Sequence, residues 1–281
     1  MRILMILLSA CILTGGTMSI VSANTVGNSR PAIVLVAFGT SVEEARQVFD
    51  FINTRAYERY PEYEIHWAFT SQFIIDKLKQ RGIITRNVSE VVNDLRSRGY
   101  KRIAFQSLHV VPGQEYHSIY NVDTRGLQVA FGDALLSSDA DIQAAIAALD
   151  SNIINDEATV VVAHGNDKYP EFNTQLEKFA ATIEAQYPLL VVASVEGTPG
   201  TSGLDEVRKR KPSRINFIPL MIVAGDHIIN DVLGDDRESW KNIIQATHTT
   251  CSKPLGWNED ILDIYFEHLD QTLTRLSEDS D

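Results

Sequence analysis

Two segments of this chain recur in the same order, and that recurrence constrains its fold more than any other feature. The run Ala32-Ile-Val-Leu-Val-Ala-Phe-Gly-Thr40 lies over Ala158-Thr-Val-Val-Val-Ala-His-Gly-Asn166, so that Phe38 aligns with His164. Each copy continues through a stretch with apolar residues at helical spacing that ends in Tyr-Pro, at Tyr60-Pro61 and at Tyr187-Pro188. Further on, Phe105-Gln-Ser-Leu-His-Val-Val-Pro-Gly-Gln-Glu115 lies over Phe217-Ile-Pro-Leu-Met-Ile-Val-Ala-Gly-Asp-His227, which aligns Glu115 with His227. Two matches in one order describe a duplicated unit.

The unit can be read from its first copy. Ala32 to Ala37 is rich in β-branched residues, shows no polar alternation and stops before Gly39, as does a strand buried on both faces of a parallel sheet. Ser41-Val-Glu-Glu44 then predicts a capping box that opens a helix over Ala45 to Tyr60, with Val48, Phe49, Ile52 and Ala56 on its inner face. Strand, turn and helix recur along the chain. The expected fold is therefore α/β: two similar Rossmann-like halves, each a parallel sheet flanked by helices, with an active-site cleft between them. The halves are expected at 32–154 and 155–276, with a flexible lead at 24–31 and a polar tail at 277–281.

The N-terminus reads differently. Arg2 is followed by the apolar run Ile3 to Leu8, a small-residue stretch and Val21-Ser22-Ala23, the layout of a secretory signal cleaved after Ala23. On this reading residues 1–23 are lost, and the mature protein is periplasmic, with no stable membrane insertion after cleavage. Leu8-Ser-Ala-Cys11 offers the alternative of a lipidated Cys11. Cleavage leaves Cys251 as the remaining cysteine, which excludes an intramolecular disulfide and a thiolate-based zinc site. Any metal must be held by His and carboxylate. The formal net charge of −12 argues against a nucleic-acid partner, because duplex affinity depends on neutralising phosphates with Lys and Arg.

Ligands of open α/β sheets bind at the carboxyl ends of the strands. Those positions hold Phe38, Thr70 and Glu115 in the first half and His164, Glu196 and His227 in the second. Superimposing the copies brings His164, Glu196, His227 and Glu115 toward one cleft. Two imidazoles and a carboxylate suit a borderline divalent ion such as Co²⁺, Fe²⁺, Ni²⁺ or Zn²⁺, and either group can also take a proton. Asp226, next to His227, is placed either to orient that ring or to stand as a surface carboxylate. His109 and His117 flank Glu115 and are candidates for noncovalent haem or for a subunit contact in a homo-oligomer, with a core or surface role as the simpler reading. The basic run Arg208-Lys-Arg-Lys211 reads as a solvated helix face.

The segments Val36-Ala-Phe-Gly-Thr-Ser41, Gln106-Ser-Leu-His-Val-Val-Pro-Gly-Gln-Glu-Tyr116, Ala163-His-Gly-Asn166, Val195-Glu-Gly197 and Pro219-Leu-Met-Ile-Val-Ala-Gly-Asp-His-Ile-Ile-Asn-Asp231 resemble the anaerobic-pathway sirohydrochlorin cobaltochelatases, relatives of ferrochelatase. The likeness runs from Pro31 to Leu276 and keeps its order. It implies two α/β halves around a cleft for a sirohydrochlorin-type tetrapyrrole, with Co²⁺ as the substrate metal; Fe²⁺ is also expected, because imidazole and carboxylate ligands discriminate weakly between the two ions. It further implies that His164 and His227 are the metal-site histidines, that Glu196 is an additional ligand and that Glu115 is the active-site acid of a Gly-x-Glu-Tyr motif. Phe38, Gly39 and Thr40, at the matching end of the first copy, are the expected substrate contacts, with the Phe38 ring as a flat apolar wall.

Two features set this chain apart from that pattern. Its negative charge opposes a polycarboxylated ring at long range, so local basic groups must offset it. Its signal-like leader separates it from a cytoplasmic pathway. A periplasmic metal or haem carrier built on the same fold is the competing reading.

Overall fold

Ala32–Ala37 and Ala158–Ala163 carry no exposed position, and every residue of both is buried as the central strand of a parallel sheet. The structure is a computed structural model that describes residues 30–154 and 156–278. The signal-like segment with Cys11, the lead up to residue 29 and residues 279–281 of the tail lie outside the described residues. The first half runs β1 (Ala32–Ala37), α1 (Glu43–Arg59), β2 (Ile65–Phe69), α2 (Gln72–Gln80), α3 (Val88–Ser97), β3 (Arg102–Ser107), α4 (Gln114–Ser118), β4 (Gln128–Gly132) and α5 (Asp139–Leu149). The second runs β5 (Ala158–Ala163), α6 (Thr174–Gln186), β6 (Leu190–Ser194), α7 (Ser202–Arg210), β7 (Arg214–Pro219), α8 (Trp240–Ile244), β8 (His248–Cys251) and α9 (Glu259–Glu278). Among the described residues no helix is long and apolar enough to cross a membrane.

Both sheets are parallel throughout and share one topology, β2-β1-β3-β4 and β6-β5-β7-β8. The duplicated sequence is thus a duplicated fold. In each sheet the chain leaves the first strand on one side and returns on the other, which opens a crevice at the carboxyl ends of β1 and β3 and of β5 and β7.

The start of α1 departs from expectation. Val42 is the N-cap and no side chain caps the helix, so the capping box from Ser41 does not form. Tertiary contacts claim that loop instead: Thr40 Oγ1 accepts from the Val42 amide at 3.2 Å, and the Ser41 carbonyl accepts from Arg81 Nη1 at 2.7 Å. The inward face of α1 is nevertheless the anticipated one, with Val48, Ile52 and Ala56 buried and Phe49 edge-on to Trp67 and Phe69.

One apolar core spans the halves. It joins Leu35, Val48 and Ile52 to Val161, Phe179 and Phe266, each worth about 1.5–3 kcal/mol when fully buried. The closing helix is part of it. α9 crosses back to pack on β3 and β4 of the first sheet, where Tyr60 Oη donates to the Phe266 carbonyl at 2.9 Å and Arg59 pairs with Asp270 at 2.7 Å. The carboxyl ends of the two sheets are therefore held against each other by the core beneath them.

Candidate active site

β5 ends at Ala163, and the next residue, His164, is exposed. Its placement depends on Gly165, which has φ +75°. A Cβ there would stand 1.7 Å from the Glu196 carbonyl oxygen, so only glycine lets the loops after β5 and β6 meet. The Glu196 amide donates to the His164 carbonyl at 2.7 Å, the Gly197 amide to Asp167 Oδ1 at 2.5 Å, and Asn173 Nδ2 to the Asn166 carbonyl at 2.8 Å. These bonds fix Glu196 beside His164. The Glu196 carboxylate itself has no partner among the described residues.

His227 lies on the loop after β7, where a single π-helical turn begins at Ile228. Its Nδ1 is 2.6 Å from Asp231 Oδ2, whereas Asp226 accepts from Asn230 Nδ2 at 2.8 Å. The carboxylate that orients His227 is thus one turn along the chain and not adjacent to it. Helical geometry explains the difference, because residues four apart share a face and sequence neighbours do not.

Both rings present the same atom. The Gly165 carbonyl, 2.8 Å from His164 Nδ1, can only accept, and so can the Asp231 carboxylate. Each neutral imidazole therefore carries its hydrogen on Nδ1 and leaves Nε2 with a lone pair. The rings stand edge to face at 83°, with centroids 5.0 Å apart. With metal–nitrogen bonds of about 2.1 Å, two imidazoles on one ion at a near-tetrahedral angle have centroids roughly 5 Å apart. Among the described residues no group of three or more His, Cys, Asp or Glu is assembled tightly enough to hold a metal ion. The structure brings the two histidines together and leaves Glu196 and Glu115 outside their immediate contact.

Across the cleft, Phe38 is 47% exposed although it follows a fully buried strand. Gly39, at φ +101°, packs under it against Phe69 and Ile74. Thr40 is buried, and a methyl on Gly225 would lie 3.7 Å from its Oγ1, so the Phe38 loop touches the His227 loop. Glu115 stands in the first turn of α4, half-buried, with no side-chain partner among the described residues. Behind it Tyr116 is buried, its hydroxyl 2.7 Å from that of Tyr120. His117 is exposed, with its ring 5.7 Å from Phe172 of the second half.

His109 has a different place from the one expected of a haem ligand. Its Nδ1 is 2.9 Å from Ser107 Oγ and its Nε2 is 3.3 Å from Thr70 Oγ1. Burial pushes its pKa down to about 4. The ring is neutral at physiological pH with both nitrogens engaged, so as placed it offers no lone pair to an iron. Thr70, a strand-end candidate, serves as one of its two partners.

Sequence reasoning missed Asp231, Asp167 and Asn173. The four-residue spacing of His227 and Asp231 could have revealed the first. The other two act through contacts between separate loops and leave no local signal.

Residues 31–274 match the protein family described as cobalt chelatase (CbiK). The chain is 32% identical over 275 residues to the sirohydrochlorin cobaltochelatase of Salmonella typhimurium, covering 89% of this chain and 99% of that protein. It is 26% identical over 265 residues to the sirohydrochlorin cobaltochelatase CbiKC of Nitratidesulfovibrio vulgaris, covering 89% and 93%. Among solved structures it is similar to SirB from Bacillus subtilis with Fe³⁺, at a TM-score of 0.62 and 14% identity over 87% of this chain and 96% of that one. It is also similar to CbiX, described as the terminal enzyme for siroheme biosynthesis in denitrifying bacteria, at a TM-score of 0.53 and 13% identity over 85% and 98%. At these identities the two structural likenesses speak to the fold alone.

Proposed function

The chain belongs to the cobalt chelatase family, and on that premise we propose how its residues carry out the reaction of a sirohydrochlorin cobaltochelatase. The enzyme inserts Co²⁺ into sirohydrochlorin: the ring gives up two pyrrolic N–H protons and the ion takes their place. The observation that carries the reading is the His164–His227 pair, 5.0 Å apart, with both Nε2 atoms open.

The incoming Co²⁺ is held by the two Nε2 atoms, a ligand set too small to saturate it, so the ion remains available to the ring nitrogens. Glu196, fixed beside His164 through its backbone, supplies a carboxylate that can join or leave as the ion moves. Glu115, from the opposite half, receives pyrrolic protons; a carboxylate and a vacated imidazole together account for the two released. Phe38, Gly39 and Thr40 line the first-half wall, with the exposed Phe38 ring against the macrocycle. Imidazole and carboxylate discriminate weakly between Co²⁺ and Fe²⁺, so Fe²⁺ is a second substrate metal. Mixing purified protein with sirohydrochlorin and Co²⁺ and following the absorbance change tests the activity; an unchanged spectrum at saturating metal would overturn it.

A metal or haem carrier on this fold draws no support from the two named relatives, both of which are cobaltochelatases. Of the histidines near Glu115, His117 is the one whose exposure suits a noncovalent haem, and a haem titration of the His117→Ala variant tests that assignment. The signal-like leader supports action in the periplasm after cleavage behind Ala23. Mass spectrometry of the protein from its host tests this, and an intact Met1 or a lipidated Cys11 would refute it.

A further inference from the structure

Sirohydrochlorin is a ring edged with carboxylates, and this protein carries a net charge of −12. Binding must therefore rest on cations that touch the substrate, because the long-range field repels it. Four arginines of the first half are already committed to carboxylates: Arg55 to Glu58 and Glu259, Arg59 to Asp263 and Asp270, Arg86 to Asp94, and Arg98 to Glu64. Arg81 and Lys77 have no carboxylate partner among the described residues.

Arg81 lies beside the Phe38 loop, and Lys77 is on the helix that leads to it, α2. α2 is tied to that loop at its start, where the Ser71 amide donates to the Phe38 carbonyl at 3.3 Å, and Ile74 packs under Gly39. Just beyond the end of α2, Arg81 Nη1 donates to the Ser41 carbonyl at 2.7 Å, one residue from Thr40, which meets the His227 loop at Gly225. One bond anchors the guanidinium at the rim and leaves its other N–H groups for a bidentate carboxylate. On the same helix Phe73 is 71% exposed, with the Lys77 ammonium 5.7 Å from its ring centroid. The exposed carboxylates Glu43 and Glu44 open α1 just after Ser41 and oppose an incoming carboxylate, so the guanidinium must meet it in direct contact.

We propose that Arg81, supported by Lys77, is the anchor for a peripheral carboxylate of the tetrapyrrole, with Phe73 extending the apolar wall begun by Phe38. The proposal rests on the cobaltochelatase reading. Its test is equilibrium binding of metal-free sirohydrochlorin, followed by absorbance across a range of salt, to the full-length wild type and to Arg81→Gln, Arg81→Lys and Lys209→Gln. The last removes an exposed charge on α7 and controls for net charge. Arg81→Gln is expected to weaken binding about tenfold or more and to flatten its salt dependence, while Arg81→Lys retains part of the affinity and Lys209→Gln stays within about twofold. The same ring with its carboxylates esterified is expected to bind wild type and Arg81→Gln equally. A loss that persists with the ester would mean that Arg81 only shapes the Ser41 loop, and the proposal falls. It falls equally if Arg81→Gln behaves as Lys209→Gln does in a protein that still inserts cobalt. A wild type that neither binds the ring nor inserts metal overturns the cobaltochelatase reading as well.

Discussion

The imidazoles of His164 and His227 stand edge to face with centroids 5.0 Å apart, each pinned through Nδ1 by a different device. His164 uses the carbonyl of Gly165, and His227 uses the carboxylate of Asp231. Two rings from separate strand ends thus each leave the Nε2 nitrogen without a hydrogen-bond partner among the described residues. Of the two devices, the Asp231 carboxylate is a side chain and can be removed by substitution.

His164→Ala and His227→Ala are each expected to lower the chelation rate by about 100-fold or more, because each deletes one of the two nitrogens proposed to hold the ion. Neither ring is buried in the core, so thermal stability should hardly move. Either variant working at the wild-type rate would remove that histidine from the mechanism.

Asp231→Asn keeps the size of the side chain and removes the charge that holds His227. A loss of about 10- to 100-fold in metal affinity or rate is expected. Asp226→Asn, whose carboxylate meets only Asn230 among the described residues, should stay close to wild type. Cobalt titration of the two variants side by side decides between them, and the reverse order would assign the orienting role to Asp226.

Gly165→Ala brings a Cβ within 1.7 Å of the Glu196 carbonyl at a φ of +75°. The left-handed conformation alone costs an alanine about 1–2 kcal/mol, and the collision adds to it by parting the loops that carry His164 and Glu196. Urea unfolding should show a lower midpoint together with lost activity. An unchanged midpoint would mean that the two loops are not locked as described.

His109 sets a pH dependence of stability. Burial holds its pKa at about 4 against an ordinary 6.5, so between these values the unfolded chain binds more protons than the folded one. The stabilisation is full above the unfolded value and is lost as pH falls through that window, by about 3 kcal/mol at most. His66, also lowered by burial, acts in the same direction. Denaturation at about pH 7 and about pH 4.5 should show a smaller acid loss in His109→Gln than in wild type; equal losses would show that His109 is not the group responsible.

How much of this was legible in advance follows from the range of the forces involved. Burial on both faces needs only a continuous apolar run, so β1 and β5 were readable as central parallel strands, and the repeat placed His164 and His227 at strand ends of one sheet. With the family pattern these residues named the fold and the chemistry. Tertiary structure decided which groups surround them. Asp231 reaches His227 through a helical turn, and Arg81 takes the Ser41 carbonyl that was expected to serve a capping box. Ser107 and Thr70 close off His109, and α9 returns to pack on the first sheet. Hydrophobic periodicity reports burial along one segment. A hydrogen bond between segments depends on how separately specified elements pack, and no local pattern encodes that.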